Sequence, residues 1–132
     1  MNEALVDAMG SYLKAGLEMD VDALDAFYDP EFENVRVDQA GRTITLTKDA
    51  FMSRFRALRE QGQRIGESID DASFPATTDL GDQAAIVMRR VKDGVPVFYT
   101  FVWRVEDGRP TTILRELTFD QDISYLLKMV QG

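Results

Sequence analysis

The chain has no cysteine and no histidine in 132 residues. Without cysteine there are no disulfides, thiolate nucleophiles or sulfur-ligated metals. Without histidine the commonest general base and zinc ligand are gone, so acid–base chemistry falls to Asp, Glu, Lys or Tyr. Basic residues are few as well: 15 Lys and Arg stand against 23 Asp and Glu, a formal net charge of -8. A phosphate backbone demands clustered cations, so a nucleic-acid partner is not expected. No apolar run approaches the length of a membrane span, and the opening MNEALVDAM lacks a basic n-region and an apolar h-region. The expectation is therefore a cytoplasmic protein with no membrane association, and no metal or other cofactor is implied. There is no internal repeat, low-complexity tract or linker, so residues 1–132 read as a single domain with enough chain for a real core.

What the chain does have is a long β-rich stretch, VPVFYTFVWRVEDGRPTTILRELTF, from Val95 to Phe119. Asp107-Gly108 between two such runs is a strong hairpin signal. Val97, Tyr99, Phe101, Trp103 and Val105 alternate onto one face, Phe98, Thr100, Val102 and Arg104 onto the other. An aromatic sheet face needs a cover, and the N-terminal half supplies amphipathic helices. The spacing predicts a helix over residues 3–18, with Leu5, Met9, Tyr12, Leu13 and Leu17 as its apolar stripe. A second helix is capped by Asp20 and stopped by Pro30, with Leu24, Phe27 and Tyr28 as its buried edge. Its acids lack the glycine and terminal Glu of a calcium loop. A short hairpin over Phe32–Asp38 and Thr43–Leu46 follows, then a helix capped by Thr47 that turns Phe51, Phe55 and Leu58 inward. Strands are expected over Ile65–Thr78 and Ala84–Lys92, with Pro75 arguing for an edge or a bulge. Asp120 or Asp122 caps a terminal helix that docks through Ile123, Leu126, Leu127 and Val130.

This order of helix, helix, short hairpin, helix and four long strands resembles the nuclear transport factor 2-like superfamily, which includes ketosteroid isomerase and the SnoaL-like cyclases. The residues that carry the resemblance are Tyr12 through Leu24, Phe27-Tyr28-Asp29-Pro30-Glu31-Phe32, Thr47-Lys-Asp-Ala-Phe51, and Gly108 through Leu117 with its Arg115-Glu116 pair. It covers roughly residues 3–119. The fold it implies is an α+β cone-shaped barrel: a curved antiparallel sheet of four long strands around three N-terminal helices, plus a short hairpin and a C-terminal helix. It implies a homodimer through the outer sheet face, where Phe98, Val102 and Leu114 are too apolar for water. It also implies a pocket inside the cone. An ungapped comparison with ketosteroid isomerase puts Tyr12 at the oxyanion-hole tyrosine. The catalytic aspartate falls at Arg36, two residues short of Asp38, and the second oxyanion acid falls near Phe101. Neither replacement has the chemistry, so steroid isomerisation is not expected.

Three functions follow. The first is a small-molecule-binding domain, its pocket formed by Tyr12, Phe32, Arg36, Phe55, Tyr99, Phe101, Trp103 and Arg115. There an acidic or carbonyl-bearing ligand would sit near Tyr12 and Arg36. The second is an isomerase, cyclase or dehydratase acting on a small carbonyl compound, with Tyr12 and a carboxylate such as Asp38, Glu33 or Glu116 as candidate catalytic groups. The third is an oligomerisation domain with its cavity filled by Phe and Met. On the first strand Phe32, Asn34, Arg36 and Asp38 share one face and Glu33, Val35 and Val37 the other; the two valines make the second the more natural interior, and an inward Arg36 is the alternative. On the last strand alternation turns Arg115 inward, whereas the Arg-Glu resemblance turns Glu116 inward. The two readings of the last strand stay open at this point.

Overall fold

The computed structural model describes residues 1–66 and 68–131, with side chains described up to residue 128. Three helices come first: α1 (Glu3–Leu17), α2 (Val21–Phe27) and α3 (Lys48–Glu60), with β1 (Tyr28–Asp38) and β2 (Thr43–Thr47) between the last two. Then come β3 (Ser73–Asp79), β4 (Gln83–Lys92), β5 (Val95–Glu106), β6 (Arg109–Asp120) and α4 (Ser124–Gln131). Helix starts are set by local chemistry. The side chains of Asn2, Asp20 and Thr47 accept hydrogen bonds from the N–H groups of Leu5, Ala23 and Ala50, satisfying donors that a first turn leaves open.

The strands form one curved, unclosed sheet in the order β2-β1-β6-β5-β4-β3. The short hairpin is thus part of the main sheet, because β1 pairs in parallel with β6 and satisfies what would be an open strand edge. Asp107 and Gly108 both have positive φ, 52° and 76°, as a two-residue type I′ turn requires. Pro75 lies on the edge strand β3 beside a register shift, where its missing N–H costs no ladder bond. The strand expected from Ile65 begins only at Ser73; the described residues between α3 and β3 form a loop, of which Arg64, Ile65, Ser68, Ile69 and Asp71 line one cavity together with residues of α1 and α3.

Helices α1–α3 lie on the inner sheet face. Leu5, Met9 and Leu24 pack there against Ile86, Phe101, Trp103 and Ile113, all at most 1% exposed. Facing rings on α2, α3 and β1 extend this core, with Tyr28–Phe32 and Phe32–Phe51 centroids 4.5 and 5.2 Å apart. A second small core joins Ile44 of β2 to Ile123 and Leu126, with Leu127 packed beside it. This docks α4 as the apolar stripe predicts; the side chain of Val130 lies outside the described residues. Among the described residues no helix is long and apolar enough to cross a membrane.

Candidate functional site

Between α1, α3, the loop before β3 and the inner face of β4–β6 lies a cavity of about 610 Å³. Its walls are apolar where the helices meet the sheet, at Leu24, Phe51, Phe55, Met88 and Phe101. One end is polar, and the sheet register explains why. Across the inner face Asn34 stands beside Glu116 and Glu116 beside Phe101; one step along, Arg36 stands beside Thr118 and Thr118 beside Tyr99. Neighbouring strands therefore carry a carboxylic acid, an amide, a guanidinium and a hydroxyl into one corner.

Glu116 faces inward because β6 is bulged. Val102 pairs with Arg115 and Trp103 with Ile113, so Leu114 is the extra residue opposite β5. Ile113 and Glu116 then share the inner face, three residues apart, which strict alternation forbids. Arg115 is correspondingly turned out, donating to the carbonyl of Glu31 and pairing with Glu33 at 3.2 Å. The expectation of an inward Arg115 is corrected by this one-residue bulge. The expected interior of β1 is corrected too: Asn34 and Phe32 are buried, while Val35 and Val37 lie on the outer face beside Leu117 and Phe119. The polar side chains are tolerated inside because they satisfy one another. Asn34 Nδ2 donates to Glu116 Oε2 at 2.5 Å, and Arg36 Nε donates to Asn34 Oδ1 at 2.9 Å. Arg36 also reaches Asp120 and the Tyr125 hydroxyl, each at 3.4 Å.

Among the described residues three carboxylates are buried, and their surroundings separate their roles. Asp29 is held down at about 2 by a hydrogen bond from Arg104, with Thr112 and the Glu31 N–H adding to it against the cost of burial. For Asp38, burial acts upward, but hydrogen bonds from Arg42 and the Ile123 N–H outweigh it and the carboxyl lies below its ordinary value. Asp38 also accepts from the backbone of Ala40, so it staples the β1–β2 turn to the start of α4. It is a structural anchor and lies off the cavity, which removes it from the catalytic candidates. Glu116 is the opposite case. Burial pushes it above the usual carboxylate range, and Arg36, Asn34 and Lys92 only partly offset this. Among the described residues Asn34 is its one hydrogen-bond partner, and the carboxyl group lines the cavity.

Tyr12 lines the same cavity and shares a 2.5 Å hydrogen bond with the hydroxyl of Tyr28. Burial and the nearby Glu116 raise the phenol of Tyr12, and burial raises that of Tyr28, so both stay neutral. When Tyr28 donates to Tyr12, the Tyr12 proton remains free to point at a ligand. Of the other sequence candidates, Arg36, Phe55, Tyr99 and Phe101 line the cavity. Phe32 and Trp103 do not: Phe32 is sealed behind Tyr28 and Phe51, and Trp103 is sealed under α1 with its Nε1 on the sulfur of Met9. Sequence reasoning missed Asn34 as the link between Glu116 and Arg36, and missed the loop residues Arg64, Ile65, Ser68, Ile69 and Asp71. The Asp71 carboxylate, bonded by Arg90 through Nε and Nη2, ties that loop to β4, a pairing across 19 residues that no local pattern reveals.

The fold can be compared with solved structures. A nuclear transport factor 2-like protein of unknown function from Silicibacter pomeroyi superposes with a TM-score of 0.65 at 16% identity, over 87% of this chain and 91% of its own. This chain has the nuclear transport factor 2-like fold. A protein from Shewanella baltica, likewise nuclear transport factor 2-like and of unknown function, gives 0.64 at 12% identity over 87% of this chain and 89% of its own. A de novo designed protein of the same fold gives 0.57 at 14% identity over 99% and 93%. No family model and no curated protein matches the sequence. At these identities the nuclear transport factor 2-like likeness concerns architecture alone, and the fold hosts many unrelated chemistries.

Proposed function

We propose that this chain is a small-molecule-binding domain whose ligand enters the apolar cavity and meets its polar end near Tyr12 and Arg36. The observation that carries this reading is the cavity itself, about 610 Å³ with an apolar wall and a few convergent polar groups. A cavity left open between Phe and Met side chains also speaks against the filled-core alternative. The ligand feature that suits Tyr12 is a carbonyl, which accepts from a neutral phenol. The test is a thermal-shift screen against a metabolite library, since a bound ligand raises stability by mass action. Arg36→Ala is expected to weaken the hit by about 1.5–3 kcal/mol, the worth of a hydrogen bond to a charged group, and Tyr12→Phe by about 0.5–1.5 kcal/mol, that of a neutral one. Unchanged affinity in both variants moves the site elsewhere.

One observation favours a second reading, an isomerase, cyclase or dehydratase acting on a small carbonyl compound. Glu116 is a buried carboxyl raised above its ordinary value on the same cavity as Tyr12, the arrangement a general base and its hydrogen-bond donor need. In that case Glu116→Gln keeps binding and loses turnover of the ligand the screen returns.

We also propose a homodimer through the outer sheet face. Phe98 and Phe119 are 49% and 68% exposed, and β5 and β6 are neighbours with Tyr99 opposite Thr118, so these two rings fall one step along on the same outer patch. Leu114, expected on that patch, is buried within the chain. Sedimentation equilibrium is expected to show a dimer at micromolar concentration that Phe98→Lys disrupts; a wild-type monomer there sinks the proposal.

A further inference from the structure

The charge around the cavity is the reverse of the charge on the chain. Among the described residues Arg36, Arg54, Arg64, Arg90 and Lys92 line it, a third of the 15 Lys and Arg, against Glu116 and Asp71. These cations divide by depth. Arg36 is inside and committed to Asn34 and Asp120, beside a buried carboxyl that repels any second anion while charged. Arg90 is spent on Asp71 through both Nε and Nη2. Arg54 on α3, Arg64 on the loop and Lys92 at the end of β4 are exposed, and none has a carboxylate partner within ion-pair distance among the described residues. The cations without a carboxylate partner are thus at the mouth, Lys92 lying also over the Tyr99 ring at 5.4 Å from its centroid, while the inner end offers the Tyr12 hydroxyl and the Glu116 carboxyl.

Resting on the cavity reading above, we infer that the ligand is an amphiphilic anion held head-outward. Its carboxylate, sulfonate or phosphate stays at the mouth with Arg54, Arg64 and Lys92. Its apolar body lies along Leu24, Phe51, Phe55 and Met88, and any carbonyl or hydroxyl at its far end meets Tyr12. The orientation follows from desolvation. An anionic head at the mouth keeps part of its hydration and gains three cations, whereas the same head at the inner end loses its water and meets Glu116. The basic mouth on an otherwise acidic molecule also draws anions toward the cavity.

Two probes with the same aromatic body separate these claims: 8-anilinonaphthalene-1-sulfonate, which is anionic, and N-phenyl-1-naphthylamine, which is neutral. Fluorescence titration of the full chain is expected to show the sulfonate bound more tightly. The exposed double variant Arg54→Glu/Arg64→Glu is expected to weaken the sulfonate roughly fivefold or more, as reversal of two solvent-screened charges does, and to leave the neutral probe within about twofold. Added salt should weaken only the sulfonate. If the charge reversal spares the sulfonate, or weakens both probes alike, the head-outward anion is wrong. The cavity reading has its own arm. Gly16 lines the cavity and a Cβ built there meets nothing within 4 Å, so a side chain can start there, and Gly16→Phe is the variant chosen to occupy the space. It should expel both probes. Binding of both unchanged in Gly16→Phe, or of neither to the wild type, overturns the cavity reading and this inference with it.

Discussion

Trp103→Ala is expected to lower stability by about 3–5 kcal/mol, the range for truncating a large buried aromatic side chain. Trp103 is 1% exposed and stands in the middle of the sheet, between Ala84 of β4 and Ile113 of β6. Phe27 packs edge-on to its ring at 6.1 Å, and its indole N–H is directed at the sulfur of Met9 at 3.3 Å. The alanine variant therefore leaves a void that touches α1, α2 and two strands at once, and elements so connected cannot collapse into it independently. Trp103→Phe keeps most of the ring contacts and is expected to cost clearly less. Urea denaturation followed by circular dichroism measures both. A loss below about 1 kcal/mol for the alanine would mean that Trp103 does not seal the core.

Asn34→Leu is expected to cost about 2–4 kcal/mol at neutral pH, although it keeps the branched shape of the side chain, because it takes a hydrogen-bond partner from Glu116 and Arg36 at once. Asn34 is fully buried, and it is the hydrogen-bond donor to Glu116 and the acceptor for Arg36 Nε. Its bond to Glu116 is one of the influences that pull that carboxyl downward against burial, so its removal raises Glu116 further. The sign of the pH dependence follows. A carboxyl whose folded pKa is raised binds more protons folded than unfolded, so its contribution is fully present below the unfolded value and is lost as pH rises through the folded one. The variant, raised further, goes on losing stability after the wild type has levelled off. The cost of Asn34→Leu should therefore grow with pH, and in a Glu116→Gln background it should be smaller and flat. A cost that is pH-independent in both backgrounds would disconnect Asn34 from the titration of Glu116.

The prediction at Asn34 shows where sequence reading stopped. A local pattern is enough to place Tyr12, since it lies on the same helical stripe as Leu5 and Met9, and that stripe has no other surface to cover than the sheet. Asp107-Gly108 demands a tight turn, Pro75 an edge or a bulge, and Asp20 and Thr47 mark where helices begin. Tyr99, Phe101 and Trp103 alternate without interruption, so their shared face could be read directly. These are short-range constraints, each satisfied within a few residues of chain.

The polar corner of the cavity is different in kind. Which of Arg115 and Glu116 turns inward is decided by one extra residue at Leu114, and a bulge is a property of two strands in register, invisible in either alone. The apolar Val35 and Val37 lost the interior to Asn34 and Arg36 because β1 faces a cavity there, and a partner 82 residues away completes the hydrogen bonds that make burial of Asn34 tolerable. Asp38 looked like a base and is a staple, since the Ile123 N–H it holds belongs to the far end of the chain. Sequence by itself determined the elements, their order and the aromatic face that the helices cover. Only the tertiary structure decided which polar groups meet, because burial shifts the proton affinity of a carboxyl according to the neighbours that long-range pairing brings to it.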